Sequence, residues 1–165
     1  MGLENLIAAI KTVRQQHPDV LLLIAGKGSL KQTLEQQISD LSLENHVRLL
    51  GYLPDEQLPL AYSAANLSIV PTVALEGFGL IVIESLAAGT PVLGTPIGGI
   101  PEILRPLSEN LVFSSTDTNH LATHINSVLS GQMQIPSAKA CQDYVQEQYA
   151  WPVIAQKIKA VYEKA

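Results

Sequence analysis

The stretch that decides the fold reads EGFGLIVIESLAAGTPV and covers residues 76–92. It follows a short apolar run, residues 67–70, and opens with a loop that contains Gly77 and Gly79. The apolar residues 80–88 predict a helix, and Gly89 is of the residue type that commonly ends one. A second short apolar run, residues 91–94, comes next. A strand, a glycine loop, a helix and another strand predict a parallel βαβ unit.

The same alternation extends to both sides of this stretch. Apolar runs predict five strands, at residues 20–25, 47–50, 67–70, 91–94 and 111–113. Amphipathic stretches predict the intervening helices, at residues 2–16, 30–41, 54–65, 80–88 and 117–130, with a short one near Pro101 and a helical C-terminal third. Residues 20–25 are apolar throughout, which predicts a parallel strand buried on both faces. The expected fold class is α/β, a Rossmann-like parallel sheet flanked by helices.

Length and composition favour one globular domain and exclude several other classes. The 165 residues are 47% hydrophobic and 15% charged, enough for one buried core. We expect one domain over residues 1–165, with C-terminal helices in residues 137–165. The net charge of −5 argues against a nucleic-acid partner, which needs clustered cations. A single cysteine, Cys141, excludes an internal disulfide. With no apolar run long enough to span a membrane and no signal peptide, we expect a cytoplasmic protein.

The chemistry-bearing residues lie where a parallel sheet binds its ligands, at the carboxyl ends of the strands. Gly77 and Gly79 let the backbone approach a ligand, and the following helix start attracts an anion such as phosphate. A carboxylate would repel that phosphate, so Glu76 in the loop and Glu84 in the helix suit neutral hydroxyls instead. This pattern suggests a sugar nucleotide, with phosphate at the helix start, sugar beside Glu76 and ribose beside Glu84.

At these residues the sequence resembles the C-terminal, donor-binding half of retaining glycosyltransferases of the GT-B fold, family 4 (group 1). The signature of that family is a pair of glutamates separated by seven residues within an EGFGL run, matched here by Glu76 and Glu84. Three further segments are similar to the family: residues 23–28, which end in Gly-Lys-Gly, residues 47–52, and the second glycine loop, residues 98–102. The similarity extends over nearly the whole chain.

The resemblance implies a role for each matching residue. Glu76 would be the catalytic-site carboxylate that contacts the hydroxyls of the donor sugar, and Glu84 would hold the ribose. The donor would also contact the loop and the strand ends, at Gly77, Phe78, Gly79, Leu80, Tyr52 and Gly26. The family transfers a hexose from a UDP-, GDP- or ADP-sugar with retention of configuration. It usually needs no metal, and we expect neither a metal site nor a separate cofactor.

The sequence departs from the family at its start. In the family, a strand and a loop with an Arg and a Lys precede the helix with which this sequence begins, and an acceptor-binding domain precedes them. We therefore expect a sheet that lacks its first strand, whose gap is either closed by the flanking strands or filled by another chain. The chain alone is expected to be inactive without the N-terminal domain. Peripheral membrane contact of the full-length enzyme remains open.

Other interpretations stay beside the first one. A degenerate Rossmann-like module could keep the fold without binding a donor, and a sugar-nucleotide epimerase of similar fold is a weaker alternative. The turn Gly26-Lys27-Gly28 lacks the third glycine of a dinucleotide fingerprint, so an ordinary turn is favoured over a donor contact there. An apolar stripe on the last helix, from Trp151 to Tyr162, leaves self-association open.

Overall fold

The computed structural model describes residues 2–163, so Met1, Lys164 and Ala165 of the predicted domain lie outside the described residues. The strands alternate with helices along most of the chain, as the sequence predicts. The strands are Leu22–Ala25 (β1), Val47–Gly51 (β2), Ser68–Val70 (β3) and Val92–Gly94 (β4). The helices are Leu3–Gln16 (α1), Lys31–Asp40 (α2), Leu58–Ala64 (α3), Leu80–Ala87 (α4), Ile100–Leu104 (α5), Thr118–Leu129 (α6), Ala138–Tyr149 (α7) and Trp151–Tyr162 (α8).

The strands form two parallel pairs, β1 with β2 and β3 with β4. Within residues 2–163, β1 and β3 are not hydrogen-bonded to each other, so the sheet is divided between them. The flanking strands therefore do not close the gap that the sequence predicts. The alternative, that another chain fills it, stays a prediction. The α/β class with parallel strands and flanking helices is confirmed.

Helix α1 joins the two halves of the molecule. Its residues Leu6, Ala9 and Val13 pack into the core under β3 and β4, whereas Ile7 and Ile10 pack into the core beside β1 and β2. The helix also packs against α2 and α6, while α4 packs against α3, α5 and α7. Apolar residues three and four positions apart give α1 these two buried faces.

The prediction that residues 20–25 are buried on both faces is wrong. The burial of β1 alternates, with Leu22 and Ile24 half-buried while Leu23 is 51% exposed. Burial alternates in β2 as well: Arg48, which pairs with Leu23, is exposed too. Within residues 2–163 only one face of this strand pair packs into a core, which the apolar sequence of the strand does not indicate.

Two further boundaries differ from the sequence predictions. Helix α3 begins at Leu58 instead of residue 54, because Pro59 sits in its first turn, where a missing N–H costs nothing. The predicted fifth strand, residues 111–113, is reduced to one bridge between Gly94 and Val112. A short 3-10 helix, Glu109–Leu111, occupies the start of that segment. None of the described helices has the length and apolar character needed to cross a bilayer.

The divided sheet predicts unequal costs for shortening its leucines. Leu93 in β4 is fully buried, so Leu93→Ala is expected to lower the free energy of unfolding by about 2–5 kcal/mol. Leu23→Ala is expected to cost less than about 1 kcal/mol, because its side chain already contacts solvent. Urea unfolding of both variants measures the difference. Equal losses would contradict the half-open arrangement of β1.

Candidate functional site

Two glycine loops meet at the carboxyl ends of β3 and β4. The amide of Gly99 donates to the carbonyl oxygen of Gly77 at 2.9 Å. A Cβ atom at Gly98 would lie 2.0 Å from the carbonyl oxygen of Glu76, and one at Gly99 would lie 2.7 Å from that of Gly77. No side chain fits at such distances, so glycine is required for the loops to pack backbone against backbone. This packing fixes the backbone of Glu76.

The Glu76 side chain is held from the strand ends. Its carboxylate Oε2 accepts a hydrogen bond from Thr72 Oγ1 at 3.1 Å. Thr95 in turn donates its Oγ1 to the carbonyl oxygen of Thr72 at 2.5 Å. Both threonines are buried, while Glu76 is half-buried. The two threonines thus orient a carboxylate that still reaches solvent.

The start of α4 is open to a ligand. Gly79 precedes the helix with a φ of 89°, a left-handed conformation that glycine adopts without strain. No side chain caps this end, and Phe78 and Leu80 are 53% and 64% exposed. The first N–H groups of a helix lack partners within it and point outward, and the helix dipole adds positive potential there. The geometry suits an anion.

Glu84 lies further along α4 and is exposed. Its Oε2 accepts a hydrogen bond from the hydroxyl of Tyr62 on α3 at 3.2 Å. Burial and the neighbouring carboxylate raise the pKa of Tyr62 to about 12. Both side chains line a cavity of about 580 Å³ together with Asp55 and Pro59.

The turns after β1 and β2 are joined to each other. The amide of Gly26 donates to the carbonyl oxygen of Gly51 at 2.7 Å, which brings Gly26 and Tyr52 to the same edge of the sheet. Lys27 places its Nζ 5.2 Å from the centre of the Tyr52 ring, a cation–π contact. A pocket of about 210 Å³ lies beside these turns and is lined by Leu3 among others.

The predicted site residues therefore fall into three groups. The loop and helix start carry Glu76 and its neighbours, α4 carries Glu84, and the β1–β2 half carries Gly26 and Tyr52. Within residues 2–163 no side-chain hydrogen bond joins Tyr52 to either glutamate. In the same range, no group of three His, Cys, Asp or Glu side chains could hold a metal ion.

Three residues that orient the glutamates were not predicted from the sequence: Thr72 and Tyr62 contact them directly, and Thr95 acts through Thr72. Thr72 and Thr95 each follow a strand. Because the carboxyl ends of neighbouring parallel strands lie side by side, their positions in the sequence could have placed them near the site. Nothing in the sequence indicates that Tyr62 lies near Glu84. Its contact with Glu84 depends on how α3 packs against α4.

The fold and the loops at its carboxyl edge define an α/β domain of the GT-B class. The family described as glycosyl transferases group 1 matches residues 1–149, and the chain belongs to that family. An uncharacterized glycosyltransferase of Methanocaldococcus jannaschii is 31% identical over 99% of this chain and 42% of its own length. The phosphatidyl-myo-inositol mannosyltransferase of Mycobacterium leprae is 29% identical, with 98% and 42% covered.

Solved structures show the same similarity. Sucrose-phosphate synthase from Thermosynechococcus elongatus superposes with a TM-score of 0.82 at 30% identity, over 99% of this chain and 42% of that one. HepE of Anabaena, solved in complex with UDP-glucose, gives a TM-score of 0.81 at 25% identity, with 98% and 44% covered. The chain thus spans about two fifths of these proteins, in agreement with the expected C-terminal half.

Proposed function

We propose that this chain is the donor-binding half of a retaining hexosyltransferase that uses a UDP-, GDP- or ADP-sugar. One observation carries the proposal: the interlocked glycine loops hold Glu76 beside the uncapped start of α4, with Glu84 further along the same helix. The complex of HepE with UDP-glucose, a protein of similar fold, supports this choice of ligand.

The diphosphate of the donor would bind at the start of α4. The backbone N–H groups of Phe78, Gly79 and Leu80 would donate to its oxygens, with Gly77 leaving room for the approach. These amides are fixed before the reaction, so they stabilise the charge that develops on the leaving diphosphate. The proposed transfer proceeds without a metal ion, because this helix end performs the charge stabilisation.

The two carboxylates would contact hydroxyl groups of the donor. Glu76, oriented by Thr72, would accept from hydroxyls of the sugar, which makes it the proposed catalytic-site residue. Glu84 would accept from the vicinal hydroxyls of the ribose. The base would lie toward Tyr52 and Gly26, in the region where the two turns are joined.

Transfer would require an N-terminal acceptor domain as the partner of this chain, and we propose that the chain alone binds the donor without turning it over. Any peripheral contact with a membrane would be made by the full-length enzyme. The exposed stripe on α8, with Trp151 at 84% and Tyr162 at 78% exposure, is a candidate for contact with that domain or for self-association.

The assignment of Glu76 predicts a selective defect. Glu76→Ala should leave the affinity for UDP within about twofold of wild type, while the affinity for UDP-glucose falls about tenfold, since a hydrogen bond to a charged group is lost. Titration calorimetry with both ligands measures this. Glu147→Ala, an exposed carboxylate on α7, is the matched control and should change neither affinity. An equal loss for both ligands would contradict the assignment.

The second candidate function is a degenerate module that keeps the fold without binding a donor. The divided sheet favours it, because the gap lies between β1 and β3, next to the proposed diphosphate site. A rise in melting temperature with any of the three nucleotides would exclude this candidate, since a ligand that binds only the folded state stabilises it.

A further inference from the structure

Glu84 has one side-chain contact that orients it. Within residues 2–163, the only hydrogen bond of its carboxylate is the one from the Tyr62 hydroxyl, at 3.2 Å. A glutamate on an exposed helix face otherwise samples several rotamers, and fixing it on ligand binding costs conformational entropy. A hydroxyl that holds the carboxylate beforehand removes part of that cost.

Tyr62 is itself fixed by the segment that follows α4. Thr90, which is 2% exposed, donates its Oγ1 to the backbone oxygen of Tyr62 at 2.6 Å. Ser85, the neighbour of Glu84, donates to the backbone oxygen of Thr90 at 3.1 Å. The contacts run from Ser85 through Thr90 and Tyr62 back to Glu84. Such a closed set of contacts fixes α3 relative to the helix that carries the glutamate.

The hydroxyl of Tyr62 occupies only part of the carboxylate. An ionised carboxylate offers about four acceptor positions, of which Tyr62 uses one on Oε2. Two vicinal hydroxyls need two more, so enough positions remain for a ribose. A tyrosine of ordinary pKa is already protonated at neutral pH, and burial beside Glu84 raises the pKa of Tyr62 further, to about 12, so its hydroxyl is available as a donor. The two side chains also share the wall of the 580 Å³ cavity, which leaves open space beside them.

We propose that Tyr62 is a positioning residue for nucleotide recognition: its hydroxyl holds the Glu84 carboxylate in the orientation that receives the ribose hydroxyls. This inference rests on the proposed function, in which Glu84 binds the ribose. Tyr62 acts through Glu84 and makes no contact with the reacting atoms. Its effect should therefore disappear when either Glu84 or the ribose hydroxyls are removed.

The test is the affinity of Tyr62→Phe for UDP and for 2′,3′-dideoxy-UDP, measured by titration calorimetry. If GDP or ADP binds the wild-type chain more tightly than UDP, that nucleotide and its dideoxy form are used instead. We expect UDP to bind about three- to tenfold more weakly and the dideoxy form to be unaffected, because binding must then immobilise a Glu84 side chain that Tyr62 no longer holds. In a Glu84→Ala background, Tyr62→Phe should cause no further loss. Ser63→Ala removes a hydroxyl from the same helix, one that donates to the backbone of Pro59, and should leave the preference unchanged.

The results that would overturn the inference fall into two kinds, one from the variants and one from the wild-type chain. Equal weakening of UDP and its dideoxy form by Tyr62→Phe, or an additional loss in the Glu84→Ala background, would show that Tyr62 acts on the fold and not through Glu84. If the wild-type chain binds UDP and its dideoxy form equally, Glu84 does not bind the ribose, and the inference fails although donor binding stands. If the wild-type chain binds neither, the proposed function fails together with the inference.

Discussion

A Glu84→Ala variant is expected to bind UDP about 10- to 100-fold more weakly than the wild-type chain, as for one or two charge-assisted hydrogen bonds. The carboxylate is exposed on α4 and oriented by Tyr62, so it is available to the ribose hydroxyls. Titration calorimetry gives the two affinities directly, and urea unfolding should show that the variant remains folded, because the side chain is not part of the core.

The matched control for Glu84→Ala is Glu35→Ala. Glu35 is an exposed glutamate on α2 that forms a surface ion pair with Lys31, four residues earlier. Exposed pairs of this kind contribute little, so the variant should bind UDP as the wild type does. Similar UDP affinities for Glu84→Ala and Glu35→Ala would contradict the assignment of the ribose to Glu84.

Gly98→Ala is expected to produce the second large effect, on both stability and binding. The added Cβ would lie 2.0 Å from the carbonyl oxygen of Glu76, a backbone atom that moves only with its loop. Gly98 also has a φ of 57°, which strains an alanine. We expect a loss of about 2–4 kcal/mol in the free energy of unfolding from the clash and the strain. UDP-glucose binding should fall, because the displaced loop carries Glu76.

Gly131→Ala separates the clash from the backbone strain. Gly131 has a φ of 72°, but nothing lies within 4 Å of the added Cβ. The variant should lose only about 1–2 kcal/mol, the cost of a left-handed alanine, and should bind UDP-glucose normally. If urea unfolding gives the same loss for both variants, the two glycine loops are not packed as described.

Local sequence signals predicted the elements whose boundaries they mark. Helix α4 follows directly from its apolar run, the glycine before it and Gly89 after it, which has a φ of 85°. The sequence could not show that β1 is open on one face. The sequence of an apolar strand is the same whether or not a helix covers its second face. The sequence therefore predicts a buried Leu23, whereas its side chain is half exposed to solvent.

The segment around Val112 was predicted as a strand for a related reason, and it forms only one bridge. Its three apolar residues have strand character, but only one of them pairs with β4. A 3-10 helix precedes it, and Ser108 caps the start of that helix. The side chain of Ser108 accepts a hydrogen bond from the amide of Asn110, so the backbone groups of this turn are used locally. Local hydrogen bonds of this kind compete with a sheet, and apolar composition does not reveal them.

The candidate site was predictable to the extent that a contiguous motif carries it. Glu76, Glu84 and the glycines between them lie on one loop and one helix, and the structure keeps them together. The groups that orient the glutamates come from elsewhere in the chain. Thr95 donates to the backbone of Thr72 because the ends of β3 and β4 lie side by side. Tyr62 donates to Glu84 because α3 packs against α4. Such contacts depend on the tertiary structure.

The most direct test of the account is a melting-temperature measurement of the purified chain with UDP, GDP and ADP, each with and without its attached sugar and at matched ionic strength. The account predicts a saturable rise with one base, by mass action on the folded state, and a loss of most of that rise in Glu84→Ala. No rise with any of the six ligands, from a chain that unfolds cooperatively, would contradict donor binding by this domain.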